Sequence, residues 1–171
     1  MSKVFKFIDR LFGANKVEPV QEIARSGFDN NQIKYDPNLI TELESDHQNL
    51  ATKFSEIYDA FDKKDYVKTN RLIGSFKGAF QAHLLAENIK FYVYLEQSLH
   101  DDEENLRIVK EFRLDMNKIA RAATNFCKKY QGQFTARHAE QFEEDYNAVG
   151  KVLTQRITLE ENSLYVLYKP R

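Results

Sequence analysis

The chain has 171 residues, 42% of them hydrophobic, which is one domain's length and enough for one sizeable core. Its 25 Lys+Arg against 26 Asp+Glu leave a net charge of -1, which excludes the basic face that nucleic acid requires. A lone cysteine, Cys127, excludes a disulfide scaffold or Cys-rich zinc site and fits a reducing cytoplasmic compartment, and six glycines with three prolines are too few for a turn-rich β-sandwich. No apolar run approaches the ~20 residues of a membrane span, so no transmembrane segment is expected. The opening residues are too short and too charged for a secretory core.

Residues 1–35 are expected to form an N-terminal amphipathic helix and linker, and residues 36–171 a helical bundle. In the stretch KVFKFIDRLF, Val4, Phe5, Ile8, Leu11 and Phe12 share one side, with Lys3, Lys6 and Arg10 among them. Such a helix can dock on its own bundle, on a second copy, on an unknown protein partner, or weakly on a membrane surface. Asp36-Pro37 then has the form of a helix start, with Asp as cap and Pro at the first helical position.

The first bundle helix, over 37–62, carries Leu43, His47, Leu50, Phe54, Ile57 and Phe61 at alternating steps of four and three. The second, over 67–99, carries Leu72, Phe76, Phe80, His83, Glu87, Phe91 and Tyr94. Asp101 with Glu104 resembles a capping pair for the third, over 103–130, whose stripe is Val109, Phe112, Met116, Ile119, Ala123 and Phe126, closed by Gly132. Thr135 is the expected cap of the fourth, over 136–167, with Phe142, Val149, Leu153, Arg156, Glu160, Leu164 and Leu167 facing inward. The loops between them span only a few residues, so the expectation is an all-α, up-down-up-down antiparallel four-helix bundle.

Polar residues at core-phase positions carry the functional signal. His47 lies between Leu43 and Leu50. His83 and Glu87 share a face one turn apart, and Glu160 is in register with Leu153, Leu164 and Leu167. Burying such groups costs several kcal/mol (roughly) unless they are paired or bind metal.

The pattern Asp46-His47-x-x-Leu50, then His83-x3-Glu87-Asn88, then Glu160-Glu161-x-x-Leu164-Tyr165 resembles the hemerythrin-like, or HHE cation-binding, family over about residues 36–168. The resemblance implies a bundle core with a non-haem di-iron or related site. It also implies a role in oxygen transport or sensing, iron handling or repair of nitrosative damage. Carried over by position, His47, His83, Glu87 and Glu160 are the candidate metal ligands. Two positions depart from the family's pattern: Met116 stands where a third-helix His is expected, and Arg156 where a fourth-helix His is expected.

Four ligands fall short of the five or six (roughly) that two metals need. Arg156 adds a permanent positive charge in their place, and its five donors can fork onto Glu87 and Glu160. One proton on either inner His then brings the charge sum to zero. The expected function is accordingly a bacterial-type, non-catalytic binding or regulatory protein with a degenerate site and no cofactor. The alternative is a working non-haem iron or other divalent-metal protein sensing oxygen, nitric oxide or iron through His47, His83, Glu87 and Glu160. An oxidoreductase is the third class. His100 and His138 are expected to be solvated, Cys127 to be a half-buried small hydrophobe, and Tyr92, Tyr94, Tyr165 and Tyr168 to bring hydroxyls toward the polar layer.

Overall fold

The four apolar stripes become four helical rods around a common interior. The computed structural model describes residues 32–132, 134 and 136–171, with backbone alone for Ala136 and Arg137. Helix α1 spans Leu39–Asp62 and α2 spans Tyr66–Ala86. The second rod continues through a π-helical segment, Glu87–Tyr92, into α3, Val93–Ser98. Helix α4 spans Glu103–Tyr130. Helix α5 spans Ala136–Leu159 and runs on as a second π-helical segment, Glu160–Leu164, and a 3-10 turn, Tyr165–Leu167. No strand occurs among the described residues. Helix α1 packs on α2, α2 on α4, α4 on α5 and α5 on α1.

Two apolar clusters fill the interior. One holds Leu50, Phe54, Ile57, Ile73, Phe76, Phe80, Met116, Phe126 and Phe142. The other holds Leu39, Leu43, Phe91, Tyr92, Tyr94, Val109, Leu164, Tyr165 and Tyr168. Gly150 of α5 permits one close approach: a Cβ there would come within 3.0 Å of Cε1 of Phe54. Gly132, at φ +140°, turns the chain out of α4, a conformation only glycine adopts without strain.

The periodicity places the rods well and their caps less well. Asp36 does not cap α1. Its Oδ1 accepts from the backbone N–H of Asn38, closing an Asx turn, and the helix starts at Leu39. The cap of α4 is Asp102 rather than Asp101: its carboxylate accepts from the backbone N–H of Asn105. The same side-chain capping occurs at α2, where Asp65 accepts from the N–H of Lys68. Thr135 lies outside the described residues. So does the amphipathic stretch with Val4, Phe5, Ile8, Leu11 and Phe12.

The inward stripes also drift by one position in places. Ala60, Ile73 and Val152 are buried, while Phe61, Leu72 and Leu153 are half-buried. A helix buries a band at least ~100° wide, so neighbours on its edge compete for the innermost place. Cys127 is fully buried, not half-buried, and burial pushes its thiol up to about 11. His138 is half-buried with its ring edge-on to Tyr130 and Phe134, whereas His100 is exposed beside Asp101. Among the described residues no helix is long and apolar enough to cross a membrane.

Candidate functional site

Each rod contributes to one polar layer at the junction of the two apolar clusters. Helix α1 supplies His47. The second rod supplies His83 and, one turn on, Glu87. Helix α4 supplies Met116. The fourth rod supplies Arg156 and, one turn on, Glu160. All six side chains are buried, and Glu87 is 0% exposed.

The two π-helical segments begin at the two carboxylates. A π turn carries one extra residue, so the position five residues on takes the place that i+4 holds in an α-helix. Tyr92 is five residues after Glu87, and Tyr165 is five after Glu160. Both hydroxyls consequently reach the layer. Arg156 donates through an Nη to the Tyr92 hydroxyl at 2.5 Å and through Nε to Oε1 of Glu160 at 2.5 Å. The Tyr165 hydroxyl lies 3.4 Å from Nε2 of His47. The other two tyrosines serve the end of the chain instead. Tyr94 donates to the carbonyl of Lys169, and Tyr168 accepts from the N–H of Asp36.

The two imidazoles stand edge to face with ring centroids 4.8 Å apart. His47 Nδ1 is 2.9 Å from Oε1 of Glu161, and its Nε2 is 3.6 Å from Oε2 of Glu160. His83 Nδ1 is 3.5 Å from Oδ2 of Asp46, and its Nε2 is 4.0 Å from Oε2 of Glu87. Glu161 is thus the outer hydrogen-bond partner of His47, and the Asp46 carboxylate stands beside His83 without a hydrogen bond to it. The signal for them was adjacency to Glu160 and His47, but nothing in helical phase distinguished them from solvated carboxylates.

Arg156 does not fork onto both glutamates as its donor count allowed. It holds Glu160 and Tyr92, and its guanidinium carbon sits 4.8 Å over the ring of Phe112. Both carboxyl oxygens of Glu87 are left without a hydrogen-bond partner, as is Nδ1 of His83. The electrostatics follow. Burial first, then the Glu160 charge, push the Glu87 carboxyl well up, against the pull of Arg156. Burial and the charge of neighbouring His47 lower His83 to about 4. Burial therefore favours the neutral forms of both Glu87 and His83, and disfavours His83 as the carrier of the layer's balancing proton. Burial raises Glu160 too, but Arg156 and His47 oppose it.

A cavity of about 300 Å³ reaches this layer, with Phe54, Phe76, Phe80 and Met116 on its walls and His47, His83, Arg156 and Glu160 at its polar end. No group of three or more His, Cys, Asp or Glu among the described residues is arranged to hold a metal ion. The family model described as the hemerythrin HHE cation binding domain matches residues 38–168. No curated protein and no solved structure matches the chain.

Proposed function

The chain belongs to the hemerythrin HHE cation-binding domain family, and from that premise we propose that it is a non-catalytic binding or regulatory protein whose polar layer is closed by an ion pair in place of the two-metal centre. The same reading takes the four rods as an up-down-up-down antiparallel bundle in the cytoplasm. The observation that carries the proposal is the placement of Arg156: buried, bonded to Glu160 and Tyr92, and sharing a cavity with His47, His83 and Met116.

The residues present do not fit a two-metal centre. Nitrogen and oxygen ligands sit about 2.0–2.2 Å from a metal such as zinc, and open catalytic or structural sites need three or four of them converging. Here the permanent charge of Arg156 occupies Glu160, and a thioether, a poor ligand for hard iron, stands at Met116. A guanidinium supplies positive charge that two buried carboxylates otherwise take from metal, and burial with the Glu160 charge pushes the Glu87 carboxyl toward its neutral form.

The unpartnered oxygens of Glu87 favour one second reading. A single divalent cation on His83 and Glu87, assisted by His47 and Glu160, would satisfy them and make the protein a metal-dependent sensor of oxygen, nitric oxide or iron. Elemental analysis of protein purified without chelators decides between the two. The proposal expects iron and zinc well below one per chain and no oxo-iron absorption band. A stoichiometric metal with that band overturns it. Met116→His with Arg156→His should then raise metal affinity sharply, because it restores two imidazoles and removes the competing charge.

A further inference from the structure

The cavity above the layer has a size, a shape and a charge pattern that together describe an occupant. Its volume of about 300 Å³ is roughly ten waters' share of liquid and lies at the small end of ligand sites, about 300–1,000 Å³. The walls offer flat faces: Phe76 and Phe80 are stacked 11° apart with centroids at 5.7 Å, and Phe54 lies against Tyr146 at 4.2 Å and 8°. Exposed residues of α1 and α5, among them Ala51 and Thr154, line its mouth.

The polar end excludes charged head groups. An anion there would face Glu160, and a cation would face Arg156. The Arg156–Glu160 pair is already closed, so neither charge gains a free partner. Arg156 spends two of its five N–H donors on Glu160 and Tyr92, and the remaining donors can serve one oxygen. We propose that this cavity binds a small uncharged aromatic molecule, one ring bearing a single hydroxyl or carbonyl oxygen, with the ring among Phe54, Phe76 and Phe80 and the oxygen at Arg156. This rests on the metal-free reading above, because a metal at the layer would prefer an anionic ligand.

The test uses the full chain, with metal content measured on the same sample. The chain has two methionines, Met1 and Met116, so the Met116 methyl NMR signal reports directly on the cavity wall. Three probes of similar size are titrated: 4-ethylphenol, phenylacetate and 2-phenylethylamine. The expected result is a saturable Met116 shift with 4-ethylphenol at submillimolar to millimolar concentration, and about tenfold weaker binding, a difference of ~1.4 kcal/mol, for both charged probes. Ala51→Trp combined with Thr154→Trp adds bulk at the mouth from exposed positions and should abolish the shift while leaving the fold's circular dichroism unchanged. In metal-free protein, no saturable shift with 4-ethylphenol, or equal binding of a charged probe, overturns the inference alone and leaves the ion-pair layer standing. A stoichiometric metal in the sample overturns that layer and, with it, the case for an uncharged head group.

Discussion

The two ends of the bundle interior are held by different physics. The cluster around Phe54, Phe76, Phe126 and Phe142 is built mostly from apolar rings and aliphatic side chains held by burial, and its one buried tyrosine, Tyr130, sends its hydroxyl to half-buried Asp145. The cluster around Tyr92, Tyr94, Tyr165 and Tyr168 carries a hydroxyl on nearly every ring, and each hydroxyl has an errand: two to the polar layer, two to the ends of the described chain. The first end responds to volume. The second responds to volume and to the charge state of the layer it touches. What separates them is a π turn at each carboxylate, which swings a tyrosine, rather than a wholly apolar residue, over Glu87 and over Glu160.

The largest effects separate these two kinds of order through pH. Phe76→Ala and Arg156→Ala should each destabilise by roughly 3–5 kcal/mol at pH 7, one by opening a cavity and the other by leaving a buried carboxylate unpaired. Only the second loss should shrink on acidification. Without Arg156 both glutamates are pushed further above their ordinary value of 4.5, and a raised carboxyl contributes stability that is full below that value and is lost as pH rises through the folded one. Urea midpoints at pH 7 and 5 measure the contrast. Equal pH dependence of the two variants would mean that Arg156 does not neutralise the layer.

The next effect has the opposite sign. His83 is lowered from 6.5 to about 4, so its contribution is present above pH 6.5 and is lost as pH falls toward 4. The loss amounts to about 3 kcal/mol at most, at ~1.4 kcal/mol per pH unit. His83→Gln should flatten the acid side of the stability profile measured between pH 7 and 4.5. An unchanged slope in that variant would locate the acid sensitivity elsewhere.

Tyr92→Phe keeps the ring and removes the acceptor of the Arg156 bond. A hydrogen bond to a charged group is worth about 1.5–3 kcal/mol, and the variant should lose that much in the same urea measurement. The smallest contrast tests the corrected cap of α4. Asp102→Ala should cost about 1 kcal/mol, whereas Asp101→Ala should stay within ~0.5 kcal/mol in thermal melts. Reversed magnitudes would return the cap to Asp101.

By itself the sequence determined the four rods, the inward phase of His47, His83, Glu87, Met116, Arg156 and Glu160, and the family to which they point. A period of 3.6 residues turns spacing directly into a shared face, and each of these residues lies on a stripe of large apolar side chains that has one way to be buried. The tertiary structure decided what local spacing does not encode. Arg156 could reach either glutamate by length, and the position of Tyr92 over the layer settled its second bond. Glu161 came to bond His47, and Asp46 to stand beside His83, because another rod brought those histidines within reach. The π turns at Glu87 and Glu160 set which ring follows each carboxylate, and a uniform α-helical count places Phe91 and Leu164 there instead. The Glu87 carboxyl is pushed well up because burial and the Glu160 charge act together on it, and both are properties of the packed interior.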